Sequence, residues 1–177
     1  MEKRVKVEKV PKIVPYLWFE KDAKEATEFY VSVFPDSKIT SSSVIRDTPS
    51  GDCDTLTFEL MGCEFMSISA GPYFKFNPSM SFLVIFNKRR DPDAMMRVDE
   101  LWEKLIVGGK ALMDIGSYPF SDRYGWLEDK YGVSWQVMFV ETDLVRSPIS
   151  PALMFTQDVS GKAKEAGDFY LSVFKND

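Results

Sequence analysis

The chain has 177 residues, of which 45% are hydrophobic and 14% aromatic, so it is long and apolar enough to bury a substantial core. Its 22 basic and 27 acidic side chains give a net charge of −5 at pH 7, which argues against nucleic acid or an anionic membrane as a partner. Its apolar runs are too short to cross a bilayer, and no apolar segment follows the charged opening MEKRVKVEK. We therefore expect a globular, cytoplasmic protein with one domain and a smaller appendage.

Histidine is absent from the sequence, and there are two cysteines. The commonest metal ligand and general base is therefore missing, and with it the Ser-His-Asp and Cys-His nucleophile arrangements. Cys53 and Cys63 lack the close spacing of a CxxC metal or redox site and do not make a disulfide framework. We expect both thiols to be core or strand residues in a reducing environment.

A strand and a helix open the chain and are repeated near its end. The strand IVPYLWF (13–19) matches ISPALMF (149–155), and the helix AKEATEFYVSVF (23–34) matches AKEAGDFYLSVF (163–174). The connection between strand and helix is longer in the second copy. Each copy is predicted to be a buried strand followed by an amphipathic helix.

The first helix has clear boundaries in the sequence. Asp22 is placed to cap its N-terminus, Glu25 stands three residues later as in a capping box, and Pro35 ends the helix. Its apolar stripe consists of Ala26, Phe29, Tyr30 and Val33.

The following segments repeat one order of elements. After the first helix come three predicted strands, KITSSSVIR (38–46), TLTFEL (55–60) and CEFMSIS (63–69). The order then restarts with strand SFLVIF (81–86), a helix from about Met95 to Val107 that stops at Gly108-Gly109, and strands KALMDI (110–115), RYGWLED (123–129) and VSWQVMFV (133–140).

The sequence therefore predicts two βαβββ modules, at about 10–70 and 80–142, within a domain at 10–143. One such module leaves an apolar sheet face uncovered, so two modules must close on each other. Residues 144–177 then form a partial third module of one strand and one helix.

The partial module carries its own apolar stripe of Ala166, Phe169, Tyr170 and Val173, which should not stay in water. It either docks on the first domain, by extending a sheet edge, or exchanges with another chain, and we expect a homodimer that uses 149–177. Alternatively, the sequence is a fragment of a longer tandem protein.

Paired βαβββ modules with a PYLWF strand, an EATEFYVSVFP helix and a DKYGVSWQV hairpin resemble the vicinal oxygen chelate, or glyoxalase/bleomycin-resistance, superfamily. They are most similar to its PhnB-like branch, also called 3-demethylubiquinone methyltransferase-like. The resemblance covers about residues 10–142. It implies an α+β fold in which paired βαβββ modules form a glyoxalase-like cup, followed here by a C-terminal βα half-module.

In metal-dependent members of this superfamily, four strand residues of the cup hold a divalent ion. By the resemblance, the two histidine positions fall on Val14 and Ser81, the glutamate falls on Gln136, and its first-module counterpart falls at about Met66. Hard and borderline divalent ions prefer imidazole or carboxylate ligands, and the nearest carboxylate on those hairpins is Glu64. We therefore expect no metal and no other cofactor.

The same matching predicts what lines the cup. Side chains alternate along a strand, so Leu17 and Phe19 should point toward the helix layer. Arg123 is the basic residue near the rim and a candidate anion contact. The predicted ligand-binding residues are Val14, Tyr16, Trp18, Met66, Ser81, Leu83, Arg123, Gln136 and Met138. An apolar, aromatic lining with a few neutral hydrogen-bonding groups suits a small, partly aromatic or amphiphilic ligand. The alternative is that the aromatic residues are simply core and Gln136 is a satisfied buried amide.

Methyl transfer finds no support in the residues. A nucleotide-type cofactor needs a glycine-rich turn from strand to helix, whereas Gly108-Gly109 follows a helix and is better explained as its C-terminal cap. Two functions remain. One is metal-free binding of a small organic molecule, and the other is an isomerase, lyase or transferase that uses polar groups such as Tyr16, Gln136 and Arg123, with or without a metal.

Overall fold

The computed structural model describes residues 13–142 and 147–174. The chain divides after Lys75 into two units, and each consists of a β-sheet that carries a helix on one face. Within the described residues, no helix is both long and apolar enough to cross a membrane.

The first unit contains one βαβββ module. Its elements are β1 (Tyr16–Phe19), α1 (Ala23–Val33), β2 (Lys38–Thr48), β3 (Gly51–Leu60) and β4 (Cys63–Ser69). The strand order is β1-β4-β3-β2, with β1 parallel to β4 and the other neighbours antiparallel. Helix α1 provides the crossover that a parallel pair requires.

Helix α1 packs on β3 and β4 through its small and aromatic side chains. Its fully buried residues are Ala23, Ala26, Thr27 and Tyr30. Thr27 Oγ1 forms a buried hydrogen bond of 2.7 Å with Ser67 Oγ on β4, which fixes the position of the helix along the strand.

The prediction that the Asp22 side chain caps α1 is wrong. Asp22 occupies the N-cap position, but its side chain makes no capping hydrogen bond. The backbone N–H of Ala23 instead donates to Ser69 Oγ at 3.1 Å, so a serine from a distant strand supplies the acceptor.

The second unit repeats the module and adds a strand. Its elements are β5 (Met80–Asn87), α2 (Ala94–Leu105), β6 (Lys110–Tyr118), β7 (Ser121–Glu128), β8 (Ser134–Val140), β9 (Ile149–Leu153) and α3 (Ala163–Val173). The order is β6-β7-β8-β5-β9, with β5 parallel to β8. Helix α2 packs on β5, β7 and β8.

Helix α2 ends two residues before the predicted Val107. Ile106 caps it, Gly108 has φ of 76°, and the N–H of Gly109 donates to the Ile106 carbonyl at 2.9 Å. The glycine pair therefore terminates a helix, as the sequence predicts.

Strand β9 extends the second sheet by pairing antiparallel with β5, from Met80 opposite Leu153 to Val84 opposite Ile149. The prediction of a buried strand for this copy is only partly correct, because Ile149 is buried while Leu153 is 50% exposed. Helix α3 buries no residue within the described part of the chain, and Phe169 is 61% exposed.

Candidate ligand-binding site

In the first unit, the predicted binding residues lie on the sheet face away from α1. Leu17 and Phe19 are buried on the helix side, which leaves Tyr16 and Trp18 on the other side, as strand alternation predicts. Met66 is the β4 partner of Tyr16 and lies on the same face. Val14 precedes β1 and is half-buried.

The two aromatic residues of β1 are held by hydrogen bonds. Tyr16 Oη lies 3.3 Å from Thr55 Oγ1, and Trp18 Nε1 donates to the Gly71 carbonyl at 3.0 Å. Trp18 also meets Phe74 edge to face, with ring centroids 5.3 Å apart. This face of the first sheet is thus aromatic with neutral polar groups.

In the second unit, four of the predicted residues share one face of the sheet. Leu83 is the strand partner of Gln136, and Met138 follows on the same side of β8. Gln136 Nε2 donates to Ser81 Oγ at 2.7 Å, which joins β8 to β5. The residues on the helix side of these strands, Phe82, Val84, Trp135 and Val137, are all buried.

Tyr124 on β7 completes a chain of neutral hydrogen bonds on this face. Its hydroxyl donates to Gln136 Oε1 at 2.7 Å, and Gln136 in turn donates to Ser81. Burial, with a smaller contribution from the charge of Tyr118, raises the pKa of Tyr124 to about 12. The Tyr124 hydroxyl therefore stays neutral and acts as a donor at ordinary pH.

Sequence reasoning did not single out Tyr124 as a site residue. The available signal was alternation, because Tyr124 and Trp126 stand two apart on β7 and Trp126 is the strand partner of Gln136. Trp126 Nε1 donates to Ser134 Oγ at 2.8 Å and adds a second neutral pair beside the first.

The structure does not bring Arg123 to this face. Its Nε donates to Asp99 Oδ1 on α2 at 2.6 Å, so the guanidinium lies on the helix side of β7. The same alternation that places Tyr124 on one face places Arg123 on the other. Arg123 ties α2 to the sheet and does not face the other predicted residues.

The DKYGVSW motif has a structural role. The buried Asp129 accepts the N–H groups of Tyr131 and Val133 at 2.9 and 3.0 Å through Oδ1, and the indole N–H of Trp135 at 2.8 Å through Oδ2. Gly132 has φ of 88°, which the tight turn between β7 and β8 requires. The motif thereby fixes the register that sets Gln136 opposite Trp126.

A cleft of about 480 Å³ adjoins the hydrogen-bonded face within the second unit. Met138 contributes to it and is the strand partner of Tyr124. The cleft is lined by Tyr118, Pro119, Phe120, Ser121, Asp122, Met138, Phe139, Val140, Glu141 and Thr142. Sequence analysis missed the turn between β6 and β7 as a source of lining residues, because it assigned the segment to neither strand.

The residues at the four family positions do not fit a divalent ion. Ser81 offers a hydroxyl that Gln136 already contacts, Gln136 offers an amide, and Val14 and Met66 offer no oxygen or nitrogen ligand. Glu64 lies on β4 opposite Glu59 and is not among the four positions. No cluster of three or more histidine, cysteine, aspartate or glutamate side chains suited to a metal occurs in the part of the chain that the structure describes.

Comparison with known proteins gives one family and several similar structures. A family described as 3-demethylubiquinone-9 3-methyltransferase matches residues 11–138. The PhnB protein from Bacillus cereus is 39% identical, with 73% of this chain and 100% of that chain covered and a TM-score of 0.63. Protein PA1353 from Pseudomonas aeruginosa is 20% identical, with coverages of 75% and 100% and a TM-score of 0.59.

A glyoxylase/bleomycin resistance protein/dioxygenase domain from Frankia sp. EAN1pec is 15% identical, with coverages of 76% and 96% and a TM-score of 0.51. No curated protein matches this chain. The likeness to the Pseudomonas and Frankia structures concerns the fold alone.

Proposed function

We propose that this chain, which belongs to the 3-demethylubiquinone-9 3-methyltransferase family, binds a small organic molecule without a metal ion. The observation that carries the proposal is the neutral chain from Tyr124 through Gln136 to Ser81, with hydrogen bonds of 2.7 Å at both steps. Ser81 and Gln136 stand where the resemblance places the histidine and glutamate ligands of metal-dependent relatives. A serine and an amide that satisfy each other offer poor ligands for a divalent metal ion but retain groups that orient a polar ligand.

The surroundings of this chain support a ligand that is partly apolar. Leu83, Met138 and Trp126 lie on the same sheet face, and the cleft of about 480 Å³ continues from Met138. Ligand pockets for small molecules have volumes of about 300–1,000 Å³ and combine apolar walls with a few polar groups. In the first unit, we propose the sheet face that carries Tyr16, Trp18 and Met66 as a ligand-binding surface in its own right, because it is likewise aromatic with neutral polar groups.

The activity named in the family description is not part of the proposal. The strand-to-helix connections of the two modules, EKD between β1 and α1 and KRRDPD between β5 and α2, contain no glycine. Close approach of a backbone to a nucleotide-type cofactor depends on glycine at such turns. Gly108 and Gly109 instead terminate α2.

Metal analysis with a matched variant tests the proposal. The purified protein is incubated with Mn²⁺, Zn²⁺ or Ni²⁺, dialysed, and measured by elemental analysis, beside the double variant Ser81→His with Gln136→Glu. We expect no stoichiometric ion in the natural protein and increased retention in the variant, which regains imidazole and carboxylate ligands. A stoichiometric ion in the natural protein would refute metal-free binding and favour the isomerase, lyase or transferase.

A ligand screen tests the binding part separately. Compounds that raise the thermal midpoint of the natural protein are incubated with it, and the mixture is followed by NMR for chemical conversion. Stabilisation without conversion supports a binding protein. Conversion of a stabilising compound would show an enzyme instead.

We also propose that the protein forms a homodimer through residues 149–177. Helix α3 repeats the sequence of α1, and the counterparts of Ala26 and Tyr30, which are fully buried in α1, are Ala166 and Tyr170, of which Tyr170 is 43% exposed. Covering an apolar stripe of this kind with a second copy of the chain lowers the free energy, because it removes apolar surface from water. Light scattering of the natural protein and of variants in this segment tests the proposed dimer.

A cytoplasmic location is a further proposal. Cys53 on β3 is buried, Cys63 on β4 is partly exposed, and the two cysteines do not form a disulfide. Free thiols persist in reducing compartments. Fractionation of cells that express the full chain would test the location.

A further inference from the structure

We infer that the cleft of the second unit binds a small organic cation, namely an amine or quaternary ammonium group attached to an apolar or aromatic body. The inference rests on the proposed function and specifies its ligand class. Two independent features of the cleft support it: the aromatic rings of its wall and the sign of the charges at its rim.

The rings of Tyr118 and Phe120 line the cleft, and the ring of Tyr124 packs against both. Tyr118 and Phe120 stack with centroids 5.6 Å apart, and Tyr124 meets Phe120 edge to face at 5.0 Å. Phe120 is 57% exposed although it is a large apolar side chain, so part of its ring surface is open to a ligand. The faces of aromatic rings carry negative potential and attract cations within about 6 Å.

The charged residues that line the cleft are both acidic. Asp122 and Glu141 are lining residues, and the part of the lining that the structure describes contains no lysine or arginine. Lys88 forms an ion pair of 2.6 Å with Glu141, and the hydrogen bond and charge of Glu141, together with the charge of Asp122, raise the pKa of Lys88. Lys88 therefore offsets one of the two lining carboxylates, and the charges of Asp122, Glu141 and Lys88 together sum to −1.

The charged and apolar parts of the cleft lie at different places, which suits a ligand with a cationic group at one end and an apolar body at the other. Phe120 lies in the turn between β6 and β7 and Asp122 at the start of β7, whereas Met138 lies on β8 opposite Tyr124. A cationic group placed between Phe120 and Asp122 would leave its attached body over Met138. From there the body extends toward Gln136, whose amide belongs to the hydrogen-bonded chain.

Three matched probes test the inference. Benzyltrimethylammonium, benzyl alcohol and benzenesulfonate share an aromatic ring and differ in charge. Each is titrated into the natural protein at low ionic strength and followed by ¹H–¹⁵N NMR. The indole N–H of Trp126 reports on the face that adjoins the cleft, and that of Trp135, which is buried on the helix side of β8, serves as an internal control.

We expect the cation to bind most tightly. Asp122→Asn should weaken its binding about fourfold, since one unit charge at 4 to 5 Å from an ammonium in water changes the affinity by this order, and salt should abolish the difference. Phe120→Leu should weaken binding about threefold through the lost cation–π contact. Lys88→Gln should strengthen binding by a similar factor, whereas Glu103→Gln on the exposed side of α2 should leave it unchanged.

Asp122, Phe120 and Lys88 are all exposed, so these substitutions are compatible with folding. The opposite signs expected for Asp122→Asn and Lys88→Gln separate a charge effect from a structural one. Binding of benzyl alcohol or benzenesulfonate as tight as that of the cation would overturn the inference but leave small-molecule binding intact. Absence of any shift with all three probes would overturn the cleft as the site, whereas a stoichiometric divalent ion would overturn the proposed function.

Discussion

Gly125 on β7 lies directly against the ring of Trp102 on α2, and an alanine at this position tests how tightly the helix packs on the sheet. A Cβ atom added to Gly125 would stand 2.5 Å from Cζ3 and 2.7 Å from Cε3 of Trp102, and 3.0 Å from Cδ1 of Ile115. Carbon atoms in contact prefer about 3.5–4.0 Å, so the indole must move by about 1 Å. Trp102 is 8% exposed and has little room to move. We expect Gly125→Ala to lower the free energy of unfolding by about 1–3 kcal/mol.

Gly116 provides the matched control for this substitution. It lies on β6 as the strand partner of Tyr124, its φ is not positive, and a Cβ added there would meet its nearest atom, of the Tyr118 ring, at 3.9 Å. Gly116→Ala should therefore change the free energy of unfolding by less than about 1 kcal/mol, and in the stabilising direction.

Urea denaturation followed by far-UV circular dichroism measures both variants. A third variant, Trp102→Leu, should cost less in the Gly125→Ala background than alone, because the two side chains compete for one space. Equal unfolding midpoints for Gly125→Ala and the natural protein would refute the packing of α2 on β7. Additive effects of the two substitutions would refute their contact.

Three further predictions follow from the hydrogen bonds, a pKa and an exposed face. Asp129→Asn should lower the free energy of unfolding, measured by urea denaturation, by about 2–3 kcal/mol, because the amide N–H group of asparagine would face one of the three N–H groups that donate to the Asp129 carboxylate. Asp114→Asn, at an exposed position on β6, is the control and should leave the free energy of unfolding unchanged. Because the pKa of Tyr124 is raised from 10.0 to about 12, the contribution of its hydroxyl to stability is complete below pH 10.0 and is lost as the pH rises toward 12. The free energies of unfolding of the natural protein and of Tyr124→Phe, measured by urea denaturation, should therefore converge over that pH range. A constant difference between the two would contradict the raised pKa. Deletion of residues 149–177, or the substitution Phe169→Glu, should lower the mass measured by light scattering from that of a dimer to that of a monomer. Unchanged solubility, thermal midpoint and mass would count against the proposed dimer.

The order of elements could be predicted from the sequence because it is written in short-range patterns. Helical spacing, glycine stops and the repeat of the opening segment predicted two βαβββ modules and a partial third, and the family match and the similar structures confirm a glyoxalase-like α+β fold. The extents of the strands were less predictable. Residues 47–52 lie between the predicted second and third strands, but in the structure the turn consists of Pro49 and Ser50 alone, because Thr48 already pairs with Gly51 across the hairpin.

Features that depend on distant residues were not accessible to pattern reasoning. The serine that accepts the first N–H of α1 comes from β4, and the pairing of β9 with β5 joins segments far apart in the chain. In neither case does the local sequence around one partner indicate which distant residue contacts it. Local spacing at Asp22 and Glu25 suggested a capping box that tertiary structure replaced.

In the candidate site, too, the features set by local patterns could be predicted, and those set by distant residues could not. Alternation along β5 and β8 correctly placed Ser81, Leu83, Gln136 and Met138 on one face, since that periodicity belongs to the strand itself. The position of Arg123 beside aromatic residues predicts a place near the rim of the cup, whereas the structure places its guanidinium against Asp99 on the helix side of the sheet. The link from Tyr124 to Gln136 required the register of two neighbouring strands, which the sequence does not state.

The hydrogen bonds from Tyr124 through Gln136 to Ser81 have a further chemical consequence. Each of the three side chains can both give and receive a proton in a hydrogen bond, so the whole series can reverse its direction when the amide of Gln136 turns over. In one direction the spare hydroxyl proton belongs to Ser81, and in the other it belongs to Tyr124. A ligand bound as we propose would therefore find a hydroxyl donor at either end of the same three uncharged residues.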